Sequence, residues 1–195
     1  MGGEAEWKYM VRSYLACVNY VDAQIGLLLE ALKKNPRNRE TMIILTSDHG
    51  WHLGEKKHWT KAAIWNNTTH VPFIVVAPGF TTAGATNHQP ISLVDLYPTL
   101  SELAGLDVPV HVEGQSILPL IKDPQRKRPY AFLSYGPENT AVQTETMRYI
   151  RYEDGSEELY DHAKDPHEWM NLAGSKEHEK LKETLKEKVL QFQSE

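Results

Sequence analysis

The sequence has one cysteine, Cys17, and no strong excess of charge of either sign. A single thiol excludes an internal disulfide, so the fold must depend on a packed core. The formal net charge of −5 gives no reason to expect nucleic-acid binding, which is typical of strongly basic domains. No uninterrupted apolar run approaches the roughly 20 residues of a membrane span. We therefore expect no membrane span, and the first six residues do not resemble a secretory signal.

The composition present is that of a globular protein. Hydrophobic residues make up 41% of the 195 residues and charged residues 24%. These values are ordinary for a domain that buries a sizeable core. One domain, or one domain with a small appendage, is the expected organisation.

The hydrophobic pattern of the first part of the chain predicts alternating helices and strands. Apolar residues at helical spacing predict a helix from about Tyr9 to Lys34. Short continuous apolar runs at 41–46 and 73–77 are typical of buried parallel strands. Ser92 begins a second helical pattern. This order predicts an α/β layer with a mostly parallel sheet.

The pattern changes after Lys122, where a charged segment bounded by prolines follows. Three short strand patterns and a final amphipathic helix predict a small antiparallel sheet covered by that helix. The strands are predicted at 130–135, 147–152 and 157–160, and the helix from Ser175. The predicted domains are therefore 1–122, the α/β part, and 123–195, the antiparallel subdomain.

The residues most able to do chemistry follow the first predicted strand. Asp48 and His49 offer a carboxylate oxygen and an imidazole nitrogen, both of which divalent cations use. In open α/β sheets, ligands bind beyond the carboxyl ends of strands. Two ligands do not complete a metal site, so others must come from elsewhere. The alternative interpretation is a structural turn in which Asp48 caps the following segment.

The surrounding residues resemble the signature of the sulfatases, in the iduronate-sulfatase-like branch of the alkaline phosphatase superfamily. The matching order is Ser-Asp-His-Gly-Trp-His-Leu-Gly-Glu-Lys at 47–56, His-Trp-Thr-Lys at 58–61 and Thr-His-Val-Pro at 69–72. The resemblance continues through most of the chain and in the correct order. Further matching segments are 14–22, 92–100, 113–120, 158–161 and 165–172.

The resemblance implies an alkaline phosphatase-like sulfatase fold, present here in part, and roles for three residues. Asp48 and His49 would be two ligands of a divalent cation, Ca²⁺ or alternatively Mg²⁺. Lys61 would reach the sulfate and its bridging oxygen, although alone it would be interpreted as a solvated surface lysine. Four further residues could line a substrate pocket; they are Trp51, His52, His58 and Trp59. The alternative is that the two tryptophans pack structurally and the two histidines lie on the surface.

Sulfatases of this family also carry a Cys-x-Pro-Ser-Arg segment, whose cysteine becomes the formylglycine nucleophile. The 195 residues contain no such segment. Cys17 lies within a helical pattern, and we predict a buried structural thiol rather than the nucleophile. The acidic pair that completes the family's cation site is also absent. An N-terminal half or a partner chain would have to supply these groups, and the isolated chain is predicted to be inactive.

The resulting hypothesis is hydrolysis of a sulfate monoester, of a sulfated small molecule or sugar, by the parent enzyme. One rival is a phosphate or phosphonate ester hydrolase of the same superfamily, because the Asp48-His49 pair is common to both. A second rival is a truncated, non-catalytic module for binding or assembly.

Overall fold

A computed structural model describes residues 3–136 and 138–194. The chain divides into two compact units, which are considered separately. The first contains residues 3–61 and 71–79, and the second contains residues 62–70 and 80–194. The boundaries of these units do not coincide with the predicted domain boundary at residue 122. Because spatial compactness and family domains are different criteria, the predicted domain boundary stays a prediction.

The first unit begins with the long helix α1, Glu4–Lys33. Glu4 and Glu6 in its first turn and Lys33 in its last complement the helix dipole. None of its residues is buried within the described chain. The prediction that Cys17 is buried is therefore wrong, and its thiol is exposed. The helical spacing correctly placed apolar residues on α1, but the described residues do not cover that surface.

Helix α1 is also long and apolar enough, by length and composition alone, to cross a membrane. No uninterrupted apolar run in α1 has this length, but the helix is apolar on average over 18 residues. Core helices of soluble proteins meet the same criterion.

Four short strands and one helical turn follow α1. Strand β1 is Ile43–Thr46, β2 is His52–Leu53, β3 is Trp59–Thr60, α2 is Asn66–Thr69 and β4 is Phe73–Val76. β1 and β4 pair antiparallel, with Ile43 opposite Val76. The predicted parallel pairing of these two strands is therefore wrong. A parallel crossover usually carries a covering helix, and the connection between β1 and β4 has only the one turn of α2.

The second unit contains α2, then α3, Leu96–Leu103, and α4, Leu118–Lys122. The predicted helix start at Ser92 is confirmed by a capping box, in which the Ser92 N–H donates to the Asp95 carboxylate over 2.8 Å. The buried Asp95 also accepts from the Gln115 N–H and pairs with Arg128. This carboxylate therefore joins three segments that are distant in sequence.

The four remaining strands form one antiparallel sheet in chain order. Its members are β5, Ala131–Tyr135; β6, Asn139–Gln143; β7, Met147–Arg151; and β8, Glu157–Asp161, and helix α5, Glu179–Ser194, follows. The predicted small antiparallel sheet and terminal helix are confirmed. Strand β6 was not predicted. Its ends are polar, and its apolar centre, Ala141 and Val142, is too short to give a recognisable strand pattern.

Both faces of this sheet are covered. One face places Val142, Tyr149 and Leu159 against Leu185 and Val189 of α5. The other packs Ala141, Ile150 and Tyr160 against Ile64. Each large apolar side chain buried in this way stabilises the fold by roughly 1.5–3 kcal/mol. Residues 62–70 are therefore fixed to the second unit by apolar packing.

Candidate active site

Asp48 and His49 lie side by side immediately beyond β1. The Asp48 side chain is 82% exposed and that of His49 is 29% exposed. The Ser47 hydroxyl donates to the His49 carbonyl over 2.8 Å, and the His49 N–H donates to Asp48 Oδ1 over 3.0 Å. This local turn directs both side chains to one place, with His49 Nε2 3.4 Å from Asp48 Oδ2.

The hydrogen bond at the other ring nitrogen of His49 indicates the tautomer. His49 Nδ1 lies 2.8 Å from the Gly50 carbonyl, which only accepts. Nδ1 therefore carries a proton, and Nε2 faces the Asp48 carboxylate. Histidines that bind metal ions are generally oriented in this way, through the second ring nitrogen.

The separation of these two atoms fits a shared cation. Ligands about 2.3–2.6 Å from one cation and at right angles lie about 3.3–3.7 Å from each other. The observed 3.4 Å agrees with that geometry. Within residues 3–136 and 138–194, no group of three His, Cys, Asp or Glu side chains could hold a metal ion. The described chain therefore offers two candidate ligands and not a complete site.

Lys61 directly follows β3, which pairs antiparallel with β2 and places Thr60 opposite His52. Lys61 is exposed. Within the described residues its ammonium forms no hydrogen bond or ion pair, which leaves it available to an anion. The structure gives no contact between Lys61 and the Asp48-His49 pair, so its proposed role stays a prediction.

The four predicted pocket residues have different environments. Trp51 lies beside His49, with ring centroids 6.3 Å apart. Trp59 packs edge-on against Trp7 of α1 at 6.2 Å. His52, which is 1% exposed, packs edge-to-face against His58 at 5.0 Å. Trp51 is thus the member placed next to a predicted ligand.

The backbone from the β2–β3 connection to the end of β3 is unusual. The φ angles of Lys56, Lys57 and Thr60 are 53°, 58° and 74°. Residues other than glycine rarely adopt such values. Strained residues persist where the surrounding structure holds them, often at functional sites. No local pattern indicates this strain in advance, because these positions carry ordinary lysine and threonine residues.

A second polar centre, in the second unit, was missed at the level of sequence. Arg148 Nε lies 3.0 Å from Glu168 Oε1, and their side chains are 3% and 1% exposed. Arg148 also donates to the Ile64 carbonyl over 2.7 Å, and Glu168 accepts from the Asn66 N–H over 2.8 Å. Burial opposes ionisation of Glu168, but a hydrogen bond from His162 and the Arg148 charge outweigh it and lower its pKa. No spacing motif connects these residues in the sequence.

Comparison with known proteins gives the family. Residues 2–106 match the family described as Sulfatase, which is more than half of the chain. A sulfatase of Formosa agariphila is 41% identical over 182 residues, which cover 93% of this chain and 36% of the relative. The chain thus spans about a third of the length of that relative.

Solved structures agree with this assignment. A protein in complex with its substrate D-glucosamine-2-N,6-O-disulfate superposes with a TM-score of 0.87 at 29% identity, over 99% of this chain and 43% of that one. The phosphonate monoester hydrolase of Agrobacterium radiobacter gives a TM-score of 0.74 at 28% identity, over 89% and 39% of the two chains. The predicted alkaline phosphatase-like fold is confirmed, whereas the iduronate-sulfatase-like branch stays a prediction. The chain belongs to the sulfatase family.

Proposed function

We propose that this chain supplies part of the active site of an enzyme that hydrolyses sulfate monoesters. The observation that carries the proposal is the 3.4 Å separation of Asp48 Oδ2 and His49 Nε2 beyond β1, inside the segment that matches the family. Lys61, which is exposed, would add a positively charged ammonium group to this part of the active site. The formylglycine nucleophile would come from outside these 195 residues.

The residues act by stabilising negative charge. Cleavage of the ester bond leaves charge on the bridging oxygen, where the Lys61 ammonium would act as a compact positive partner. Asp48 and His49 would hold a cation, which neutralises the sulfate oxygens when bound. The Gly50 carbonyl keeps the His49 ring turned so that Nε2 points to this site.

The proposed cation is Ca²⁺, with Mg²⁺ as the alternative. The two share oxygen ligands, and Mg²⁺ demands the more regular octahedral geometry at shorter distances. Titration with each ion separates the two, if it uses a chelator-treated chimera in which this chain replaces the matching segment of the Formosa agariphila sulfatase. Restoration of activity by Ca²⁺ at a lower concentration than Mg²⁺ supports the proposal, and the reverse order contradicts it.

The proposed substrate is a sulfated small molecule or sugar. Support comes from the similar structure whose bound substrate is D-glucosamine-2-N,6-O-disulfate. The net charge of −5 means that an anionic substrate must be attracted by local groups, because the whole chain repels it.

The proposed partner is the N-terminal half of a sulfatase, either in the same polypeptide or as a separate chain. Large apolar side chains are exposed along the whole of α1, among them Trp7, Leu15, Val21 and Leu28. A helix that is apolar on several sides usually lies in the core of a larger protein. The outer edges of β1 and β4 also lack a strand partner among the described residues.

A chimera tests the proposed function. This chain would replace the matching segment of the Formosa agariphila sulfatase, and turnover of an aryl sulfate would be measured. We expect activity, lost by about 100-fold or more in two variants. Lys61→Ala removes a positive charge beside the leaving oxygen, and Asp48→Asn weakens the binding of the cation. Lys164→Ala is the matched control, since that lysine side chain is 80% exposed in the second unit. Full activity of the Lys61→Ala chimera would contradict the role of Lys61.

The rival function is hydrolysis of a phosphonate ester. Its support is the structural likeness to the phosphonate monoester hydrolase of Agrobacterium radiobacter, with a TM-score of 0.74. The same chimera, assayed with an aryl phosphonate monoester, separates the two functions. A higher kcat/KM for the phosphonate than for the sulfate ester would favour this rival. Absence of turnover with both substrates, in a folded chimera, would favour the non-catalytic module.

A further inference from the structure

An open cleft with a volume of about 620 Å³ lies in the second unit. This volume is within the roughly 300–1,000 Å³ of small-molecule sites. Its walls come from the segment at Trp65, the start of β6 at Asn139 and the β7–β8 hairpin from Tyr152 to Glu158. No residue of this cleft belongs to the proposed sulfate site.

Two aromatic side chains hold a carboxylate in the cleft. Trp65 Nε1–H donates to Glu158 Oε2 over 2.7 Å, and the Tyr152 hydroxyl donates to the same oxygen over 3.1 Å. All three residues are half-buried. Glu158 is therefore fixed in place before any ligand arrives, and the aromatic rings supply apolar wall.

The β7–β8 turn is also fixed by hydrogen bonds. Asp154 Oδ1 accepts from the Ser156 N–H over 2.9 Å and from its hydroxyl over 2.6 Å. The Glu153 N–H donates to Asn139 Oδ1 over 3.1 Å. These bonds hold the turn in one conformation, so its carboxylates need little reorganisation to meet a ligand.

The charge of the cleft selects among ligands. Glu153, Asp154 and Glu158 form no ion pair with any described residue. Three carboxylates close together disfavour a further anion, and an ionised carboxylate accepts hydrogen bonds without donating any. Groups that donate hydrogen bonds and carry no negative charge are the complementary partners. Sugar hydroxyls meet both conditions, and the carbon face of a sugar ring suits an aromatic wall.

We propose that this cleft binds an uncharged sugar residue, which lies against Trp65 and donates hydroxyl hydrogen bonds to Glu153, Asp154 and Glu158. A sugar that carries sulfate or carboxylate binds more weakly. The choice of a saccharide rests on the proposed function, whereas the discrimination against anions rests on the cleft alone.

Binding to the isolated chain tests this inference without any need for catalysis. The probe is N,N′-diacetylchitobiose, titrated into isotope-labelled protein while the Trp65 indole N–H and Ser156 amide signals are followed by NMR. We expect saturable shifts of both signals. An unsulfated disaccharide that contains glucuronic acid should bind about tenfold more weakly at low salt, because of like-charge repulsion. Trp65→Phe should retain binding of the neutral probe, and Trp65→Ala should lose it.

A charge variant tests the discrimination directly. Glu153→Gln combined with Asp154→Asn removes two charges, and the amide oxygen introduced by the second change would still accept from Ser156. We expect the affinities for the neutral and the acidic disaccharide to become similar, within about twofold. The matched control is Glu102→Gln with Asp107→Asn, an equal change at two exposed positions outside the cleft, which should keep the tenfold difference.

Three results would overturn the inference: no saturable shift with chitobiose, an equal effect of the control pair, or tighter binding of tetramethylammonium than of chitobiose at the same signals. The experiments distinguish failure of this inference from failure of the sulfatase proposal. Lys61→Ala should leave saccharide binding unchanged, and an inactive chimera would contradict the proposed function without affecting the cleft.

Discussion

Arg148 and Glu168 show how much of the second unit depends on single residues. They join β7 to the loop after β8 and, through Asn66 and Ile64, to the segment that contains α2. Glu168 has a φ of 58°, so its backbone is strained while its side chain is 1% exposed. Its hydrogen bonds with His162, Arg148 and Asn66 hold it in this conformation.

Removal of one partner of this pair should be strongly destabilising. We expect Glu168→Gln to lower the free energy of unfolding by about 3–5 kcal/mol, because it leaves the Arg148 charge buried and uncompensated. Urea denaturation of the purified chain measures the loss. Glu145→Gln is the matched control, since the Glu145–Lys127 pair is largely solvated and should contribute far less. Equal losses in the two variants would contradict the importance of burial.

Gly114 is a second position where one atom decides the fit. A Cβ built there would lie 2.1 Å from the Val94 carbonyl oxygen. We expect Gly114→Ala to destabilise the chain by about 3 kcal/mol, because the obstacle is backbone that cannot rotate away. Thermal unfolding compares it with Gly174→Ala, whose added Cβ meets no atom within 4 Å. A wild-type melting temperature for Gly114→Ala would show that the loop shifts freely.

At the scale of elements, α5 stabilises the sheet through a narrow apolar stripe. Leu185 and Val189 are 1% and 0% exposed, whereas Leu190 is 44% exposed. Leu185→Ala should lower the free energy of unfolding by about 2–5 kcal/mol, since it opens a cavity against Tyr149 and Leu159. Leu190→Ala, the same change on the exposed face, should have a much smaller effect in the same denaturation experiment. Similar effects would mean that α5 is not docked by this stripe.

The junction of β8 and α5 should also make stability depend on pH. Burial raises the pKa of Glu157, but hydrogen bonds from Tyr149, Lys186 and Lys182 outweigh it and lower the pKa from 4.5 to about 2. A carboxylate with a depressed pKa in the folded state stabilises the fold above its unfolded pKa. Its contribution is therefore lost as the pH falls from 4.5 towards 2. Denaturation at several pH values should show a shallower decline for Glu157→Gln than for wild type, and parallel declines would contradict this.

At the scale of the whole molecule, the distribution of apolar surface differs between the two units. The second unit has two buried clusters, on opposite faces of one sheet. Helix α1 of the first unit has no buried residue at all within the described chain. Since the chain spans 36% of the length of its Formosa agariphila relative, this surface is where we expect the rest of a sulfatase to pack.

The isolated chain should therefore associate with itself as its concentration rises. Sedimentation velocity should show species heavier than the 22.3 kDa monomer. Leu15→Glu with Leu28→Glu should shift the equilibrium to the monomer, because both side chains are more than half exposed on α1. Val110→Glu, at a fully exposed apolar position outside α1, is the control. A monomer at all concentrations would contradict the expected docking surface.

The sequence by itself determined the family, the helix after Ser92, the terminal helix and the small antiparallel sheet, because local spacing and ordered motifs carry that information. The adjacency of Asp48 and His49 was also evident, since neighbours in sequence share one turn. Only the tertiary structure decided that β1 and β4 run antiparallel, that Cys17 is exposed, and that Arg148 meets Glu168. Each of these depends on contacts between residues far apart in the chain, whose partners no local pattern specifies. The cleft lined by Trp65 and the β7–β8 turn also depends on residues far apart in the chain, so no local pattern predicts it.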